Sequence, residues 1–281
     1  MVCVSAAAMS RSVSMLQYLW WSTITGYLIL YLKLRWTGLH RTYRAFSVYL
    51  LFTVLQGALL ALVPWAASLM RGRPNRPFAT NAYAYTWFAT APVTWVLYVL
   101  VVLELFSLIL QNFKGIASLG RWVMLGGLAT AVVLSTLTLS MDLSNADEKF
   151  RILRVFLVVD RGVASSLVIF LLILAGFLTW YPVPLNRNVV VHCIVYAGYF
   201  LSVSLGMLLR NLNGSAVSFT VNVVLSSVTL ASLAVWIVFL DRAGESVKVR
   251  VRPEWAPGDE QELVAHLAAI NSTLLRTAHK Q

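Results

Sequence analysis

Seven stretches of this chain run for 20 to 30 residues without a charged side chain: 12–32, 45–70, 77–103, 122–141, 162–186, 188–209 and 211–240. A helix needs about 20 apolar residues to cross roughly 30 Å of hydrocarbon. In lipid the backbone must satisfy its own hydrogen bonds, which leaves only helices and closed barrels. The stretches lack the strict alternation of barrel strands. The sequence therefore predicts an all-α, polytopic membrane protein, a seven-transmembrane-helix bundle. Its spans fall near 15–34, 45–69, 84–110, 119–140, 145–181, 189–210 and 217–240. Of the 281 residues 59% are hydrophobic and 12% charged, about half the charge of a soluble domain, which excludes a soluble globular enzyme and a disordered chain. Two cysteines, Cys3 and Cys193, give no disulfide framework.

Basic residues fix the expected orientation. Thirteen of them fall on the side that carries Lys33, Arg35, Arg41, Arg44 and the C-terminal tail, against eight on the other. Cytoplasmic loops hold the excess of Lys and Arg. The reading is an extracytoplasmic segment 1–14, a transmembrane domain 15–240 and a cytoplasmic tail 241–281, in the cell (inner) membrane. Residues 1–14 lack the apolar core of a signal peptide. The net charge of +11 sits in short loops at span ends, so anionic lipid headgroups are its natural partner; nothing in the pattern indicates nucleic acid.

Polar groups inside spans are costly and mark candidate sites. Glu104 falls near the inner end of the third span. In the fifth, Asp160 precedes Arg161, and Arg151, Arg154 and Arg161 form a basic stripe that fits lipid phosphates or an anionic ligand. Asp160 needs a partner from another helix, and Arg210 sits on the same side of the membrane. Gln56 is a buried amide of the second span. In the seventh span Ser215, Ser218, Asn222, Ser226, Thr229 and Ser232 share one face, either hydrogen-bonding across helix contacts or lining a wet path. No nucleophile elbow, phosphate loop or zinc-protease motif occurs. His40 and His192 both fall near the inner face, but no helical histidine pair has metal-ligand spacing. No metal, cofactor or catalytic residue is expected.

After the last span, Val247, Val249 and Val251 alternate with Lys248, Arg250 and Arg252. This fits a short strand or a basic segment held at anionic lipid. Pro253, Pro257 and Gly258 then break the chain. Asp259 and Glu262 open an amphipathic helix expected over 259–277. Leu263, Leu267, Ile270 and Leu274 recur on its apolar face, a seam for docking on the inner loops, on a partner protein or on a second copy.

Seven helices with an outside N-terminus have the form of receptor-type bundles, a likeness of fold that implies little about function. A retinal protein is excluded because no Lys lies between 149 and 248. Two functions stay open: a membrane sensor or interaction module acting through its tail, and a small-solute or ion carrier using the seventh-span stripe, Gln56 and Glu104.

Overall fold

The computed structural model describes residues 6–70, 76–110, 151–180, 185–213 and 217–249, with single helical positions at 122, 125, 126, 129, 262, 265, 266, 268–270 and 272. Among the described residues there are six α-helices: α1 Ala6–Thr37, α2 Arg44–Met70, α3 Arg76–Ile109, α4 Arg151–Trp180, α5 Arg187–Asn213 and α6 Ser218–Phe239. Two-residue strands, β1 Leu185–Asn186 and β2 Lys248–Val249, pair antiparallel. The described residues in regular structure are thus helical apart from this one short pairing.

Among the described residues five helices contain segments long and apolar enough to cross a membrane: Arg44–Val63, Asn81–Ile109, Val159–Gly176, Arg187–Arg210 and Ser218–Phe239. They coincide with the second, third, fifth, sixth and seventh expected spans. The first lies within α1, whose tyrosines, tryptophans and Gln17 dilute its apolar character. Most of the fourth, 119–140, lies outside the described residues. The helices outrun the charge-free windows because Arg, Met and Ala are good helix formers and extend an end without breaking it. Accordingly α1 starts at Ala6 rather than near residue 15, and α3 starts at Arg76. Pro77 is tolerated there because a first turn has no carbonyl partner for its missing N–H.

The chain divides into two compact units. The first comprises Met1–Tyr98 and Gly206–Val238. In it α1 and α2 run antiparallel. The Tyr27 and Tyr49 hydroxyls hydrogen-bond at 3.1 Å, and a Cβ on Gly57 would lie 2.8 Å from Ile24 Cγ1, so a larger residue there would force the Ile24 side chain to move. The first part of α3 lies antiparallel to α2: Gln56 Nε2 donates to Thr90 Oγ1 at 2.7 Å, and the rings of Tyr49 and Tyr98 meet at 5.3 Å. α6 runs parallel to α1. Gly26 faces Leu233, and one turn or two further along both helices the Lys33 ammonium donates to the Ile237 carbonyl. Phe46 of α2 packs on Trp236 of α6 at 5.1 Å.

The second unit comprises Val99–Leu205 and Phe239–Gln281. Its core joins Val102, Leu105 and Phe106 of α3 with Leu167, Phe170 and Leu171 of α4 and Tyr196 and Phe200 of α5, all buried. Phe106 meets Phe170 at 5.3 Å, and the Ser165 and Ser204 hydroxyls bond at 2.8 Å.

Most helix hydroxyls are satisfied inside their own helix. Thr53, Thr86, Thr90, Ser107 and Ser166 each donate to the carbonyl four residues back. This back-bonding lets a hydroxyl sit in an apolar surrounding without a partner elsewhere.

Candidate functional site

The second unit holds a polar cluster where the start of α5 meets the chain leaving α6. It begins with backbone. β1 and β2 pair in the register Leu185 with Val249 and Asn186 with Lys248, and Arg187 N donates to Val247 O at 3.0 Å. The strand alternative for the Val/Lys alternation therefore holds at Lys248–Val249. The pairing satisfies backbone groups that a bare connection would leave to water.

Side chains then close the cluster. Asn188 is completely buried. Its Nδ2 donates to Asp241 O and to Glu245 Oε1, each at 2.8 Å. Asn186 Nδ2 donates to the other oxygen, Glu245 Oε2, at 3.0 Å. Arg187 Nη2 bridges to Asp241 Oδ2 at 2.7 Å and to Phe239 O at 3.2 Å. The Phe239 carbonyl lies in the last turn of α6, where carbonyls lack helical partners and a cation complements the dipole. The segment itself turns through a 3₁₀ element, Ala243–Glu245. There Gly244 N donates to Asp241 Oδ1 at 2.5 Å. Gly244 is buried, and a Cβ on it would collide with the Asn188 carboxamide, 2.8 Å from Cγ. Three consecutive polar residues, 186–188, thus grip Asp241 and Glu245, four residues apart. We refer to this as the clamp.

Beneath the clamp, Asn188, His192, Tyr196 and Phe200 succeed one another at four-residue spacing along one buried face of α5. The His192 ring stacks on Tyr196 at 6.1 Å, and Tyr196 on Phe200 at 5.6 Å, with interplanar angles of 15° and 17°. The clamp is therefore seated on a stiff aromatic column rather than on a loop.

The residues singled out in the sequence are placed as follows. Gln56 and Arg210 are half-buried in the first unit, and Gln56 is committed to Thr90. The seventh-span stripe lies on α6: Ser232 is buried, Ser218, Ser226 and Thr229 are half-buried, and Asn222 is exposed. Thr229 donates to Leu225 O at 2.8 Å within its own helix. Glu104, Asp160 and Arg161 are half-buried in the second unit. Among the tail residues, Ile270 is helical and exposed; Leu263, Leu267 and Leu274 lie outside the described residues, as does Ser215. Among the described residues no three His, Cys, Asp or Glu side chains gather in metal-binding geometry.

The clamp residues went unnoticed as a group in the sequence. Arg187 reads as a loop charge, and Asn188 as the first residue of an apolar window. Two signals were present: acidic residues are scarce, yet Asp241 and Glu245 follow the last span at one-turn spacing, and Asn188, His192, Tyr196 and Phe200 share one period. Neither signal says that the two segments meet. Comparison with known proteins finds no counterpart: no family model matches the chain, and no curated protein or solved structure is similar to it.

Proposed function

We propose that this is a seven-span integral membrane protein of the cell membrane, a sensory or interaction module that acts through the segment following its last span. The observation that carries this reading is the clamp. The chain leaving α6 is held to α5 by strand pairing, two carboxylates and a buried amide, so a displacement of α5 or α6 is transmitted to the tail rather than lost in a loose linker. A protein that used its tail only as a solvated end would have no need of this connection. The carrier alternative would draw on Gln56, Glu104 and the α6 stripe, and no comparable cluster among the described residues favours it.

The span count is supported by the parallel packing of α1 and α6. Helices that cross in the same direction are separated by an odd number of crossings. Between them α2, α3, α4 and α5 supply four, and the charge-free window 122–141 supplies a fifth. The basic excess around Lys33 to Arg44 and in the tail supports an inside position for those ends. With Cys3 and Cys193 replaced by serine, Thr42→Cys and Ser246→Cys are expected to react with an impermeant thiol reagent from the same side of the membrane, and Asn81→Cys from the opposite side. Reaction of positions 42 and 246 from opposite sides would indicate an even number of spans and overturn the topology.

The functional reading is tested on the full chain in native membranes. Leu267→Asp with Ile270→Asp leaves every span untouched and removes half the tail seam. The double variant is expected to lose cross-linked species larger than the monomer, or to gain a protease cut in the tail. Unchanged cross-linking and unchanged cleavage would refute the module. Solute or ion flux in proteoliposomes that is abolished by Gln56→Leu or Glu104→Gln would establish the carrier instead.

A further inference from the structure

We propose that the turn between α1 and α2 is a binding site for anionic phospholipid headgroups, formed by Arg35, Arg41, Arg44 and the Trp36 indole. The turn is built rigidly. Gly38 takes φ 77°, a conformation that favours glycine. It is followed by a 3₁₀ turn, Leu39–Arg41. Backbone bonds run from Gly38 N to Arg35 O, from Arg41 N to Gly38 O, and from Thr42 N and Tyr43 N to Leu39 O. Leu39, Tyr43 and Phe46 are buried on its inner side. The outer side is consequently fixed as well: Arg35, Trp36, Arg41 and Arg44 are all exposed. Arg44 Nε donates to Arg41 O at 3.3 Å, which folds the Arg44 side chain back over the turn beside Arg41.

The first unit offers these arginines no carboxylate to compete with an incoming phosphate. No Asp or Glu precedes Glu104, and none occurs in 206–238, so the first unit contains no carboxylate side chain. Among the described residues none of the three arginines makes an ion pair. Guanidinium forks match phosphate oxygens in bidentate geometry. Trp36 decides between a lipid and a soluble anion. Among the described residues Trp36 is the most exposed of the large hydrophobic ones, at 84%. An indole set among arginines at the start of the apolar span Arg44–Val63 belongs at the headgroup boundary, where its ring meets apolar chains and its N–H meets water. A site for a free anion gains nothing from it.

The test uses the full chain in detergent, titrated with phosphatidylglycerol or with phosphatidylcholine of the same acyl chains, and native mass spectrometry to count bound lipid. Each basic side chain near an anionic surface contributes roughly a fivefold preference, so Arg35→Gln, Arg41→Gln and Arg44→Gln together should lower phosphatidylglycerol affinity about a hundredfold and leave phosphatidylcholine binding unchanged. Raising the salt should weaken the wild-type preference, since these charges are exposed. Trp36→Ser should lower phosphatidylglycerol binding in the same assay. Equal binding of phosphatidylglycerol by wild type and triple variant overturns the proposal. So does inorganic phosphate displacing the lipid at equal concentration, which would identify a soluble-anion site. If the triple variant does not fold, Arg41→Gln alone should show a loss of about fivefold, and no loss there is equally decisive against the site.

Discussion

Alanine at position 244 is expected to cost about 3 kcal/mol of stability and to free the segment that follows. Its Cβ would fall on the carboxamide of Asn188. That side chain has no exposed surface to move into, and both hydrogens of its amide are already committed, to Asp241 O and Glu245 Oε1. Two costs combine. Forcing extra volume into a packed site costs about 1–3 kcal/mol, and displacing Asn188 takes the donor from two part-buried acceptors, about 1 kcal/mol more. Few single methyl additions cost this much. Thermal unfolding of the full chain in detergent measures the loss, and limited proteolysis after residue 245 reports release of the segment. A double variant, Asn188→Gly with Gly244→Ala, removes the collision. It should lose clearly less than the sum of the two single variants, with a coupling of at least about 0.5 kcal/mol. Additivity would mean that the two residues do not touch.

The second large effect is expected at Asn188 itself. The clamp contains an ion pair and a buried amide, and magnitudes decide which of them holds it. Arg187 and Asp241 are 37% and 44% exposed in their side chains, so water screens their attraction and the pair is worth about 0–1 kcal/mol. Asn188 is fully buried, and leucine in its place keeps the volume but strips the amide. Asp241 O and Glu245 Oε1 each lose a donor. These acceptors are part-buried and water recovers some of the loss, which comes to about 1–3 kcal/mol together. Asn188→Leu should therefore destabilise the protein well beyond Arg187→Met, which should stay within about 1 kcal/mol. Paired unfolding measurements in one detergent check the order. If Arg187→Met proves the costlier change, the ion pair and not the amide secures the clamp.

Both predictions bear on the proposed function because they act on the same connection. A variant with a broken clamp but intact spans separates the tail from the bundle without altering either. In cross-linking assays it should resemble the tail double variant if the tail works only when held, and the wild type if the tail works on its own.

The elements legible in the sequence are those set by local chemistry. A run of 20 or more uncharged residues must be helical if it enters lipid, because no neighbour is needed to satisfy its backbone. Seven such runs were read from the sequence and five of them fall on described helices long and apolar enough to span, whose ends drift only where good helix formers extend past the last apolar residue. Inherently polar helix positions were legible too: Gln56, Asp160, Arg161 and the α6 serines stand out against apolar surroundings. What each of them faces was not. A helix presents its whole circumference in the sequence, and the arc that ends up inside depends on the neighbours. Thus Ser232 is buried while Asn222, on the same side by spacing, is exposed.

The clamp belongs wholly to the second kind. No propensity joins Asn186 to Lys248 or Asn188 to Glu245, since these pairs lie far apart in the chain, and the alternation that allowed a strand at Lys248–Val249 does not name its partner. Gly244 looks like any other glycine until Asn188 is brought against it. Sequence determined that this chain is a set of apolar helices with basic ends, because hydrogen bonding and transfer free energy act residue by residue. Only the tertiary structure decided that the start of α5 holds the exit of α6, because that contact is made of surfaces that exist only once the helices have packed.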